Sequence, residues 1–212
     1  MIGVAALPRS GKDTTTAIVQ TIFGDDAHVL SSSMVIEGLL KGLGVPNFTE
    51  RSAKQRGFIE LAKRFGNKWL LTALENEWTA GGKKTWIFNG VCMPWDAEFI
   101  QSFPQWTFLY VTAPFEIRFE RAKQAALKNE ATAKPDEATM TEEQFRHIHT
   151  HETARYLEAF QTIPGVSIIN NSGTVRELGA QIIAAFLAKG TVTQDQLQTN
   201  HDRLEELYKK LA

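Results

Sequence analysis

Cysteine is almost missing from this chain. The single residue, Cys92, excludes an internal disulfide and a zinc site built on cysteines. An excess of one charge is missing too. There are 23 basic residues against 24 acidic ones, a net charge of −1. Bulk charge therefore carries no nucleic-acid footprint, and no nucleic-acid partner is expected. No apolar run approaches the length of a membrane span, so no membrane partner is expected either. The first apolar run begins at Ile2 and no signal peptide precedes it, so a cytoplasmic protein is expected. Internal repeats and low-complexity tracts are absent. Apolar residues are not scarce: they make up 43% of 212 residues, enough for a core. The length suits one α/β domain, or one domain with small insertions.

The most informative stretch is the first. An apolar run, Ile2 to Leu7, ends in Pro8-Arg9-Ser10-Gly11-Lys12, and a Thr-rich helix start, Asp13-Thr14-Thr15-Thr16, follows. That order reads as strand, phosphate loop, helix. Gly11 permits a turn with positive φ. Backbone N–H groups of the loop and of the helix start converge there and suit an anion. Lys12 can reach the outer phosphates of a nucleoside triphosphate, as in the pattern G-x-x-x-x-G-K-[ST]. The pattern is met with two exceptions: its first Gly is Ala6, and Asp13 stands where Ser or Thr follows the lysine.

Further strands are expected at His28–Leu30, Thr85–Val91 with a break at Gly90, Trp106–Thr112 and Gly165–Asn170. Helices are expected at 12–23, from the Ser31-Ser32-Ser33 cap to Leu40, across 49–80 as one long or two joined helices, 94–102, 115–128, 141–160, 174–189 and 193–211. Gly66 is a candidate kink within 49–80, and residues 129–141 read as a mobile polar loop. Alternating strands and helices predict a five-stranded parallel sheet with helices on both sides, a three-layer α/β/α fold. The near-continuous apolarity of 106–112 matches a strand buried on both faces. Ligands are expected beyond the C-terminal ends of the strands, where the phosphate loop lies.

With these residues in view, the chain resembles the P-loop kinases that act on nucleoside monophosphates, over residues 1 to about 188. Arg9-Ser10-Gly11-Lys12-Asp13-Thr14-Thr15 looks like the loop of phage deoxynucleoside monophosphate kinases, which also place Asp after Lys. The remainder is similar to adenylate-kinase-like and dephospho-coenzyme-A-kinase-like families. The resemblance implies a P-loop NTPase fold, ATP and Mg²⁺ as cofactors, and a small phosphate acceptor, a (deoxy)nucleoside monophosphate first and dephospho-coenzyme A second. A catalytically impaired ATP-binding protein is the rival outside the class, favoured by Ala6, Asn89 and Cys92. A GTPase switch is disfavoured, as no guanine-reading Asn-Lys-x-Asp occurs. A monomer or homodimer is expected.

The resemblance also distributes roles. Residues 1–190 form the kinase domain, with an acceptor-binding helical region at about 31–80 and a lid region at about 118–155; 191–212 is a C-terminal helix. Pro8, Arg9, Ser10, Gly11, Lys12, Asp13 and Thr14 would hold the ATP phosphates. Asn170, Ser172 and Gly173, in the loop after the last strand, would lie against the adenine. Ser32, Arg51, Arg56, Asn89 and Trp95 would line the acceptor. Lys12, Asp13, Arg118 and Arg121 would be catalytic, the two arginines clamping the transferring phosphate.

Some readings stay open. Asn89 stands where such kinases carry an acid, and Cys92 where they often carry Arg. Asp13 then has two readings: the carboxylate that holds Mg²⁺ in place of the acid absent at Asn89, or a helix-capping acid. His147, His149 and His151, with Glu143 or Glu152, are either metal ligands or surface residues. Trp69, Trp78, Trp86 and Trp106 are core candidates. The last helix packs either on the domain or on another subunit.

Overall fold

The computed structural model of the chain describes residues 1–48, 51–66, 68–81, 85–128, 139–148 and 152–212. Five strands form one sheet: β1 (Ile2–Ala6), β2 (Ala27–Ser31), β3 (Thr85–Asn89), β4 (Thr107–Thr112) and β5 (Val166–Asn170). Their order is β2-β3-β1-β4-β5, and every pairing is parallel. β1 is therefore central, with the C-terminal ends of β3 and β4 on either side of the loop that leaves it. All five residues of β1 are buried, as a doubly covered strand requires.

Side chains alternate between two cores. Ile2, Val4 and Ala6 face α1 (Lys12–Phe23) and α9 (Val175–Ala188), packing with Ile18, Ile22, Leu178 and Phe186. Ala5, Phe88, Phe108 and Tyr110 face the other side. There they meet α2 (Ser32–Gly42), α3 (Arg51–Phe65), α4 (Trp69–Gly81) and α5 (Pro94–Gln101) through Leu40, Leu61, Leu74 and Ile100. Gly3 lets α5 approach β1 closely, since a Cβ there would overlap the Ile100 side chain.

The segment 49–80 is two helices. Gly66 takes φ 85°, and α4 restarts after it with the Trp69 N–H donating to the Gly66 carbonyl at 3.2 Å. α6 (Phe115–Leu127) follows β4. The predicted helix 141–160 is α7 (Glu142–Ile148) and α8 (Glu152–Ala159) with a 3₁₀ turn at Phe160–Thr162. The predicted loop 129–141 lies largely outside the described residues. Trp69 and Trp86 are buried and Trp106 packs at the core margin. Trp78 lies in α4, its side chain outside the described part.

The C-terminal segment is also two helices, α10 (Gln194–Thr199) and α11 (His201–Leu211). The break falls at Asn200, whose side chain donates to the Gln196 carbonyl at 3.1 Å and, across the chain, to the Ile22 carbonyl at 3.2 Å. α11 packs on α1 and α9, with Leu204 and Tyr208 buried. Arg176 and Glu205 form a two-pronged ion pair over that contact, one prong at 2.6 Å. This segment therefore packs on the domain itself. Among the described residues, no helix is long and apolar enough to cross a membrane.

Candidate active site

The loop after β1 is a backbone cradle. Ser10 N–H donates to the Leu7 carbonyl at 3.1 Å, which closes the turn. Arg9 and Gly11 both take left-handed conformations, with φ 63° and φ 97°. Gly11 is the N-cap of α1 and contributes no side-chain cap. The first-turn N–H groups have no earlier helical carbonyl to bond, so the helix start presents donors and a positive dipole end. Ser10 Oγ in this loop and Thr15 Oγ1 near the start of α1 are buried with no hydrogen-bond partner among the described residues. Buried polar atoms left unpaired are costly.

Beside the cradle, Lys12 reaches across to β3. Its Nζ donates to Asp13 Oδ1 at 2.9 Å and to Asn89 Oδ1 at short range. Asn89 Nδ2 also donates to Asp13 Oδ1 at 3.4 Å. The lysine, the acid that follows it and the amide that ends β3 therefore form one cluster. Parallel pairing of β1 with β3, Val4 beside Asn89, is what brings these distant residues together. Asn89 and Asp13 are oxygen donors of the kind Mg²⁺ takes. Among the described residues, no group of three or more His, Cys, Asp and Glu could hold a metal ion. His147 is exposed on α7; His149 and His151 lie outside the described residues.

The β3–α5 turn is held by a buried acid. Asp96 is 1% exposed, and its carboxylate accepts from the N–H groups of Cys92 at 3.0 Å and Met93 at 2.9 Å. Burial raises its pKa to about 6, against the lowering effect of those bonds. Burial and the neighbouring Asp96 push the Cys92 thiol well up, so it is not a thiolate nucleophile. Gly90, with φ 112°, turns the chain beside Ser32, whose Oγ donates to the Gly90 carbonyl at 3.4 Å.

The cradle is braced from α6 and from the β5 loop. Arg118 is 6% exposed; its Nε donates to the Ala113 carbonyl at 3.0 Å and an Nη to the Pro8 carbonyl at 3.5 Å. Arg121 donates to the Asn171 carbonyl at 2.9 Å, and its other Nη is buried without a partner among the described residues. Burial lowers the pKa of both guanidiniums. Asn171 is the centre of this brace. Its N–H donates to the Thr112 carbonyl at 2.7 Å, and its Nδ2 donates to the Ser10 carbonyl at 2.8 Å. Its side chain lies so close to Gly11 that a Cβ there would overlap it.

The expected site residues thus divide. Pro8 to Thr14, Asn89, Ser32, Arg118 and Arg121 gather at the C-terminal ends of β1, β3 and β4. Trp95, at the start of α5, is half-buried and packs on the core. Arg56 is exposed on α3; Arg51 begins α3, with its side chain outside the described part. Ser172 and Gly173 are exposed and lead to the Thr174 cap of α9. Asn170 is exposed, and its N–H and C=O are bridged by the Gln181 side chain at 2.9 and 2.8 Å. The sequence reading gave Asp96 no role and took Asn171 only as part of the loop after the last strand. A period-two count along β5 was the available signal for Asn171, since Ile169 is buried and Asn170 faces out.

No protein-family model matches the chain, and no curated protein sequence matches it. Solved structures do. TT1252 from Thermus thermophilus is 16% identical over 88% of this chain and 95% of its own, with a TM-score of 0.59. A gluconokinase from Sinorhizobium meliloti 1021 is 12% identical over 88% and 91%, with a TM-score of 0.52. At these identities the likeness is one of fold. It agrees with the three-layer α/β/α P-loop architecture that the sheet order and flanking helices form.

Proposed function

We propose that this chain is a small-molecule kinase that transfers the γ-phosphoryl group of ATP to a (deoxy)nucleoside monophosphate. The observation that carries the reading is the Lys12–Asp13–Asn89 cluster beside the backbone cradle of the loop after β1. The fold it shares with a gluconokinase is a supporting fact.

In this reading the loop N–H groups orient the triphosphate, and Lys12 leaves Asp13 and Asn89 to neutralise outer-phosphate charge. Positioning and charge neutralisation are most of what phosphoryl transfer asks of a protein. A bound Mg²⁺ would supply charge neutralisation between phosphate oxygens. Asp13 would hold it, directly or through water, with Asn89 beside it. Ser32, beside Gly90, would border the acceptor side, and Arg118 and Arg121 would keep the loop shaped for the transferring group.

The carboxylates favour a phosphate acceptor over a hydroxyl. A hydroxyl needs a base to take its proton. Asp96 is sealed and bound to backbone, and Asp13 would be taken up by the metal. A phosphate oxygen is already anionic. ADP release from ATP against a panel of nucleoside monophosphates, gluconate and dephospho-coenzyme A tests this. Turnover with a monophosphate alone supports it; turnover with gluconate alone sinks it. Asp13→Ser should raise the Mg²⁺ needed for half-maximal rate by about tenfold or more, a loss typical of one ligand or its support. An unchanged metal requirement removes Asp13 from that role.

A further inference from the structure

A cavity of about 430 Å³ lies at the end of the sheet away from the phosphate loop. Three strands begin at it: Ile2 opens β1, Thr85 opens β3, and Trp106 stands just before β4. Phe23, at the end of α1, and Thr191, just past α9, stand in its wall. The five residues of β1 separate it from the loop, roughly 15 Å of strand. The volume falls in the range of small-ligand sites, about 300–1,000 Å³. Pro104, Gln105 and Lys189 are exposed, so the mouth opens to solvent.

The charge of this cavity is one-sided. Two of its lining residues, Met1 and Lys189, carry ammonium groups, and none of them is acidic. Each ammonium is held by one main-chain carbonyl: Met1 donates to Gln105 at 2.9 Å, and Lys189 donates to Gly165. Lys189 also lies over the Trp106 ring, 4.4 Å from its centroid. Gly165 permits that stack, since a Cβ there would overlap the ring. Thr191 Oγ1 lies 2.7 Å from Thr107 Oγ1 and ties the end of α9 to β4. The walls are thus fixed by contacts of their own. An ammonium carries three donors, so each keeps two beyond its carbonyl. Among the described residues neither meets a carboxylate, and burial lowers the pKa of both. A cation drawn out of water without an anion is costly.

We propose that this cavity binds a small organic anion, a carboxylate or phosphate monoester on an apolar or ring body. The anionic head meets the ammonium groups of Lys189 and Met1, and the body rests against Ile2, Phe23 and Pro104. The cavity lies outside the transfer chemistry, so the site stands whether or not the chain is a kinase.

The probes are benzoate, phenyl phosphate and, as a neutral control, benzamide, each titrated into the full chain. NMR follows the amide signals of Gly190 and Thr191 and the indole N–H signal of Trp106. Benzoate, phenyl phosphate or both should shift these signals saturably, and a response to one alone identifies the head that the site takes. Benzamide should leave them in place. Lys189→Gln should weaken anion binding about tenfold, the loss of one bond to a charged group. That variant also loses the bond to Gly165. Gln105→Glu is the cleaner test, because it removes no described bond and brings a carboxylate to the two ammonium groups. It should weaken the anions about tenfold or more, while Tm stays within about 2 °C of wild type. No saturable shift, an equal shift with benzamide, or unchanged affinity in Gln105→Glu overturns the proposal.

Discussion

Asn171→Ala is the substitution that probes the cradle most directly. The Asn171 side chain is buried, and its Nδ2 is the donor to the Ser10 carbonyl at 2.8 Å, between residues 161 positions apart. Alanine removes the donor and leaves a buried carbonyl unpaired, which costs about 1–3 kcal/mol. The main-chain bonds of residue 171, to Thr112 and from Arg121, do not depend on its side chain and should persist. A loss of about 2 kcal/mol in a chain of this size lowers Tm by roughly 4–8 °C. The same bond holds the loop in its binding shape, between the left-handed residues Arg9 and Gly11. If half of the loss falls on the ATP-competent loop, about 1 kcal/mol, affinity for ATP drops roughly fivefold. The assays are thermal unfolding with and without ATP, and calorimetric titration of ATP. Asn171→Asp is the sharper control: an ionised carboxylate accepts only and would face the Ser10 carbonyl, so it should be worse than alanine. Unchanged Tm and unchanged ATP affinity in both variants would refute the view that this amide holds the cradle.

Asp96 makes stability depend on pH. Its folded pKa, about 6, lies above the unfolded value, so the folded state keeps the proton longer. Its contribution is full below about pH 4 and is lost as pH rises through about 6, an effect of up to roughly 3 kcal/mol. Asp96→Asn, which can still accept from Cys92 and Met93, should flatten that part of the stability curve in a series of melts from pH 4 to 8; an unaltered slope would locate it elsewhere. Gly179→Ala should loosen α11, because a Cβ there would overlap the Tyr208 hydroxyl. Overpacking of this kind costs about 1–3 kcal/mol, so Tm should fall by several degrees, and a melt at the wild-type temperature would show that α11 yields freely.

Much of the architecture was legible because apolar periodicity is a local property. The run Ile2–Leu7, the Gly11-Lys12 turn and the Thr-rich start of α1 specify strand, loop and helix without help from distant residues. The helix breaks were harder. Gly66 was visible as a kink, whereas the break at Asn200 depends on a bond to Ile22 in a helix far back in the chain. Trp95 and Arg56 carried side-chain chemistry that the sequence could name but not place.

The site divides along the same line. The sequence by itself determined that a phosphate loop would stand at the end of the first strand, with Lys12 at the start of the next helix, because those residues are neighbours in the chain. Only the tertiary structure decided what surrounds them. Strand order puts Asn89 against Lys12 and Asp13, and Asn171 against Ser10 and Gly11. It also turns Arg118 and Arg121 toward main-chain carbonyls. Apart from the bond of Arg118 to Ala113, each of these contacts joins residues far apart in sequence. Side-chain pattern sets which face of a strand is buried, but not which strand lies beside it. That choice comes from packing the two cores on either side of β1.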